Sequence, residues 1–281
     1  MCGRYASSSR PQDLVEEFDV DDDRTGERVR SILVNPQNPM AGHPDFNIAP
    51  TKAAPVVLTR APRGDADSDT DAEPRRQLRL LTWGLVPSWS QDIKVGTRMA
   101  NARAETVLGK SSFVRAAAFR RCLVPADGWY EWQVSPTAVG ARGKPRRQPF
   151  FVHRSDGEPL AMAGLYEFWR DGSLADGDPD AWLATYTIIT TRAEHGLDRI
   201  HDRQPLVLER EDWDDWLDPA ANDLTRVKDQ LEFAKPGRFD AYPVSMGVNS
   251  SRTNGVQLLL PLDRSELMGV VDPTTGEIIG T

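Results

Sequence analysis

The sequence predicts a single α+β domain with a mostly antiparallel β core, barrel-like, and flanking helices. Three observations predict it. Short runs of β-branched and aromatic residues outnumber the helical stretches, and they do not alternate with helices in regular βαβ order. No repeat or linker divides the 281 residues, a length that suits one large domain with a well-buried core.

The elements follow in order. Pro11 to Phe18 reads as a helix and Ala54 to Thr59 as a strand. Pro62 to Gln77 is rich in Asp, Pro and Arg, the composition of a mobile surface insertion within a hairpin. Leu78 to Leu85 resumes a strand, and Val86-Pro87-Ser88 turns the chain. Glu105 to Phe119, with its Ala-rich spacing, reads as a helix. Strands are expected at Cys122 to Val124, Gly128 to Gln133, Phe150 to His153, Leu160 to Trp169, Trp182 to Thr191 and Pro205 to Leu208. Ser135 to Arg147 reads as a polar loop. Short helices are expected near Ala193 to Leu197 and at Glu211 to Leu217. Phe239 to Val244 and Gln257 to Leu260 are expected to close the sheet. The boundaries expected are one domain over residues 1–261, followed by a weakly packed extension at 262–281.

Thirty-four Lys and Arg stand against 42 Asp and Glu, a net charge of −8. Phosphate neutralisation dominates nonspecific nucleic-acid affinity, so this is no general DNA coater. Any such contact needs a local basic cleft in an acidic body. No run of about 18 apolar residues offers a membrane span, and the Met-Cys-Gly-Arg-Tyr start is not the apolar core of a signal peptide. Two cysteines, Cys2 and Cys122, make no disulfide framework. A cytoplasmic, reducing location is therefore expected, as is a monomer. Four scattered His and two Cys lack ligand spacing for zinc, so no metal and no cofactor is expected.

Cys2 carries the chemistry. The residue after Met1 is small, so removal of Met1 by a methionine aminopeptidase is expected. A free α-amine and a thiol then share one residue, titrating near 8 and 8.5. An amine attacks an aldehyde to give an imine. The adjacent thiol can close on it as a five-membered thiazolidine, with the high effective concentration of an intramolecular step. Met-Cys-Gly alone leaves two other readings open: an ordinary small terminal residue, and a glutamine amidotransferase whose N-terminal thiol attacks an amide.

Seven segments narrow the choice: Cys2-Gly3-Arg4-Tyr5, Asn47-Ile48-Ala49-Pro50, Trp83-Gly84-Leu85-Val86-Pro87-Ser88-Trp89, Asn101-Ala102-Arg103-Ala104-Glu105-Thr106, Asp127-Gly128-Trp129-Tyr130-Glu131-Trp132, Ile200-His201-Asp202-Arg203, and Pro243-Val244-Ser245 leading to Val248-Asn249. Their order resembles the SRAP family (SOS-response-associated peptidases, or abasic-site processing proteins) across about residues 2–261. Gln204 departs from it, standing where Met is frequent. The resemblance implies binding of single-stranded DNA and a covalent crosslink from Cys2 to the aldehyde of an abasic site. It also implies self-removal of the first residue, the origin of "peptidase". A thiol-dependent peptidase or amidase remains the alternative, and β-elimination is chemically reachable through the imine.

With the resemblance, Asn101 is expected to orient Cys2, its amide accepting from the α-ammonium and donating to a sugar oxygen. Glu131 sits among Trp129, Tyr130 and Trp132; desolvation raises a carboxyl pKa and tunes it for proton transfer. His201 is assigned as acid/base for sugar opening. DNA contacts are expected from Arg4, Asn47, Trp89 and Arg103, with Arg98 and Thr191 less central. Glu105 reads as structural at a helix start, Trp83 as core, and Cys122 as a buried small hydrophobe.

Overall fold

The computed structural model describes residues 2–33, 36–60, 73–140, 143–231 and 237–280. The chain forms β1 (Arg4–Ser7), α1 (Pro11–Glu17), β2 (Asp22–Asp23), β3 (Asp45–Ile48), β4 (Ala53–Arg60), β5 (Arg75–Trp83) and β6 (Asn101–Arg103). Then come α2 (Ala104–Val107), α3 (Val114–Phe119), β7 (Arg121–Ala126), β8 (Gly128–Val139), β9 (Pro145–Arg154), β10 (Leu160–Arg170) and β11 (Trp182–Arg192). The last are β12 (Arg203–Pro205), α4 (Trp213–Leu217), α5 (Leu224–Gln230), β13 (Phe239–Pro243), β14 (Val270–Val271) and β15 (Ile278–Ile279).

The expected fold class is what forms. One sheet runs β13-β9-β8-β1-β3, and a second runs β12-β11-β10-β7-β4-β5-β2. Within the second, β5 pairs in parallel with β11 (Thr82 with Thr185, Trp83 with Tyr186), closing β11-β10-β7-β4-β5 into a five-stranded ring. Closure leaves no unpaired edge on those strands. The other ring pairings are antiparallel. Residues 53–58 of β4 are all buried, as a strand covered on both faces requires. One apolar cluster joins the sheets through Tyr5, Trp83, Trp129 and Tyr186, with the Tyr5 and Tyr186 hydroxyls 2.6 Å apart. A second, containing Leu14, Phe18, Val107, Phe113 and Trp216, seats the helices against the ring.

Several expected elements change. The 105–119 helix breaks into α2 and α3, with Gly109 and a turn between them; Gly109 with Ser111 and Ser112 close after it is too weak a helix-forming stretch to bridge that gap. The 135–147 loop is largely strand: β8 and β9 continue as a hairpin to the Val139–Pro145 pair, with a bulge after Val134. Of the 62–77 insertion, Arg75–Gln77 already belong to β5, with Arg75 opposite Arg60, and residues 61–72 lie outside the described residues. Gln257 to Leu260 is not a strand; residues Val256–Leu259 turn as a 3₁₀ helix, and so do Leu197–Arg199. The segment after residue 261 is not weakly packed. Leu267 and Val270 are buried in the core, and β14 pairs with β15.

Candidate functional site

Cys2 sits where the two sheets meet. β1 runs antiparallel to β8 with Arg4 opposite Tyr130 and Tyr5 opposite Trp129. Continuing that register toward the chain start brings residue 3 alongside Glu131 and residue 2 alongside Trp132. From the other sheet, β6 lies parallel to β11 with Asn101 at Ile188. Its side-chain Nδ2 donates to the Cys2 carbonyl at 2.7 Å. Asn101 thus fastens the chain start to the ring. Its Oδ1 is buried and has no hydrogen-bond partner among the described residues, a state that ordinarily costs stability unless a ligand or a rearranged group supplies the donor.

A tight crossing delivers Asn101 to this point. Gly84, with φ of +124°, passes against Gly96 so closely that a Cβ on either would meet the other's carbonyl oxygen at 2.6 Å. Trp83 Nε1 donates to the Ala100 carbonyl at 2.7 Å, setting the residue before Asn101.

The electrostatics are those of a dry site. Cys2 is 0% exposed in the chain that begins at Met1. Burial pushes its thiol far above the usual range, and the neighbouring Glu131 carboxylate pushes it further. Glu131, only 4% exposed, is pushed up to about 7, chiefly by burial, with Asp202 raising it as well. Both protonation states are therefore populated near neutrality. His201 follows the 3₁₀ turn Leu197–Arg199, held by its own N–H to the Leu197 carbonyl at 3.0 Å. Its Nδ1 accepts from the Arg203 N–H at 3.0 Å, which leaves the ring proton of a neutral imidazole on Nε2. Asp202 lies 3.0 Å from the same Nδ1 and would favour a charged ring. Desolvation outweighs it and holds the His201 pKa below the usual value. Among the described residues no three His, Cys, Asp or Glu gather as a metal site.

The remaining expected residues divide. Arg4 is half-buried; its Nη1 donates to the Gly3 carbonyl at 2.8 Å, and its Nε has no partner among the described residues. Trp89 is 63% exposed, displayed by the Pro turn, and Arg98 and Arg103 are exposed. Trp83 and Cys122 are buried, as read from sequence. Glu105 opens α2 and takes a bidentate ion pair from Arg203 at 2.6 and 2.9 Å. Two residues expected at the DNA are enclosed in this structure. Asn47 is fully buried, and its Nδ2 donates to the Val248, Ser250 and Thr253 carbonyls at 3.3, 2.9 and 3.0 Å. Its Nδ2 is spent on a loop, while its buried Oδ1 has no hydrogen-bond partner among the described residues. Thr191 is 7% exposed and lines a cavity with Glu105, Leu108 and Glu194 that none of Cys2, Asn101, Glu131 or His201 lines.

Sequence reasoning missed a groove of about 400 Å³ lined by Trp132, Lys144, Arg146, Arg147, Met246 and Asn249. It adjoins Glu131 through Trp132, and the charge of Arg147 reaches His201. Reading 135–147 as loop rather than hairpin hid these cations.

The SOS response associated peptidase (SRAP) family model matches residues 1–251. The abasic site processing protein YoqW of Bacillus subtilis is 33% identical over 260 residues, 92% of this chain and 99% of that protein. The abasic site processing protein HMCES of Mus musculus is 31% identical over 291 residues, 94% of this chain and 76% of that protein. Among solved structures, a Bacteroides thetaiotaomicron protein aligns with a TM-score of 0.66 at 20% identity, covering 93% of this chain and all of its own. A phage-related protein of Bordetella bronchiseptica aligns at 0.58 with 32% identity, covering 90% and 99%. The chain belongs to the SRAP family.

Proposed function

We propose that this protein captures abasic sites in single-stranded DNA by a thiazolidine crosslink through Cys2 once Met1 has been removed. The observation that carries this reading is the convergence on Cys2 at the seam between the sheets: its backbone carbonyl is held by the Asn101 amide, and the Glu131 carboxyl lies close enough to act on its thiol. The two relatives are named for abasic-site processing.

The chemistry uses Glu131 twice and each other group once. Loss of Met1 frees the Cys2 amine, and the open Asn101 Oδ1 accepts its hydrogen. His201, with its proton on Nε2, assists opening of the sugar to its aldehyde. The amine lone pair attacks the aldehyde carbon. Protonated Glu131 gives its proton to the carbinolamine hydroxyl, which leaves as water and yields an iminium. The thiol adds to that carbon and passes its proton to the Glu131 carboxylate, restoring the acid. A carboxyl poised near 7 can make both transfers. Arg4, Arg98 and Arg103 supply phosphate contacts and Trp89 a stacking face.

The geometry favours capture over a thiol-dependent peptidase or amidase. A thiol kept protonated by burial against an acid is a poor nucleophile toward an unactivated amide, whereas an iminium is electrophilic enough to take it as its proton passes to Glu131. Lyase chemistry would follow only if the imine eliminated before the ring closed.

The test is an abasic oligonucleotide resolved on a denaturing gel, with intact mass read alongside. The wild type should lose Met1 and form a heat-stable adduct. Cys2→Ser should give only an imine, trapped with borohydride. A stable adduct from Cys2→Ala, or from protein retaining Met1, would sink the reading.

A further inference from the structure

We propose that the terminal hairpin β14–β15 is a positioning element for the reaction site, bolting the loop that carries His201 to the strand that carries Glu131. The inference rests on the reaction proposed above but reaches beyond the family match, which ends at residue 251.

On β8, residues 131, 133 and 135 share one face, since side chains alternate along a strand. Glu131 serves the site, and the next two side chains on that face serve the hairpin. Gln133 is 2% exposed and each polar atom of its amide is engaged. Its Nε2 donates to the Arg199 carbonyl at 3.1 Å and the Val271 carbonyl at 2.8 Å. Its Oε1 accepts from the Val271 N–H at 2.8 Å. Ser135 Oγ donates to the Gly269 carbonyl at 2.6 Å. From the other side, Arg199 Nη1 donates to the Pro273 and Thr274 carbonyls at 2.6 and 3.0 Å. Arg199 stands two residues before His201.

Apolar packing reinforces the polar ties. Val270 of the hairpin and Leu267 just before it lie in one cluster with Leu197 and Ile200 of the His201 loop, and Cys2 belongs to the same cluster. The approach is close. Gly269 has φ of +61°, and a Cβ there would meet Ser135 Oγ at 2.4 Å, Thr137 Oγ1 at 2.6 Å and Ala138 Cβ at 2.8 Å. Gln133 is therefore a three-way joint between strand, loop and hairpin. A loop of this kind is otherwise free to drift by the fraction of an ångström that proton transfer does not tolerate.

Two variants test it without touching a reacting group: Arg199→Ala, and a chain ended after Leu262. The first readout needs no DNA. The His201 ring is titrated by NMR; the charged groups acting on it include Asp202 and Arg147. Loosening the loop should hydrate the ring and move its titration up toward that of free histidine. In the second readout, capture of the abasic site should slow about tenfold, while affinity for an intact single strand stays within about twofold. Arg199→Lys, which keeps a donor, should recover part of the rate. An unchanged His201 titration and an unchanged capture rate in both variants would overturn the inference. If the wild type captured nothing while the His201 titration still moved, the proposed reaction would fall and the brace would stand.

Discussion

Replacing Glu131 by Gln should change how stability depends on pH by an amount the structure fixes. The wild-type carboxyl has its pKa raised from 4.5 to about 7, mainly by burial. The folded state therefore holds a proton that the unfolded state releases. Stability contributed by the protonated acid is full below pH 4.5, declines as pH rises, and levels off above 7. Between pH 5 and 8 the loss amounts to about 2–3 kcal/mol by linkage, a little under two tenfold steps in the folding constant. Glutamine does not titrate, so the variant should lack this slope. Urea unfolding of both proteins at pH 5, 6, 7 and 8, with the slope m checked for constancy, isolates the difference. The two curves should converge toward acid and part toward base, the variant losing less stability as pH rises. Parallel curves would show that Glu131 titrates as an ordinary solvated carboxyl. The site would then lack the proton carrier that both steps of the crosslink require, and a capture rate insensitive to the substitution would confirm that failure.

Other expectations are simpler. Trp89→Ala removes a side chain that is 63% exposed, so the melting temperature should hold while affinity for unpaired DNA falls by about 1–3 kcal/mol in fluorescence anisotropy. Lys52 Nζ lies 2.6 Å from Asp45 Oδ2 with both side chains nearly buried. Lys52→Met should cost about 3–5 kcal/mol in denaturant unfolding because Asp45 is left as a buried, unpaired charge. The double variant Asp45→Asn with Lys52→Met should recover most of that loss; if it does not, packing rather than charge sets the cost.

Strand content was legible because alternation and β-branched runs are local signals. The stretch Leu160 to Trp169 became β10 and Trp182 to Thr191 became β11 almost as read. The distal part of the β8–β9 hairpin, within 135–147, was not, since Lys, Arg, Gly and Pro there mimic a loop, and pairing across the two strands decides the outcome. The 105–119 helix failed for the converse reason: Ala-rich spacing suggests helix, but Gly109 and its serine neighbours break it.

By itself the sequence supplied the residues the proposed reaction draws on: Cys2, the amide Asn101, Glu131 among Trp129, Tyr130 and Trp132, and the imidazole His201. Residue identity sets what a group can do, and an ordered set of motifs makes the family recognisable. Only the tertiary structure decided which groups meet and in which protonation state. The Asn101–Cys2 bond joins residues from two sheets, the poise of Glu131 comes from burial, and Asn47 proved a loop anchor. Desolvation and hydrogen bonding act across space, between residues as far apart as 133 and 271, and no local reading of the chain reports that distance.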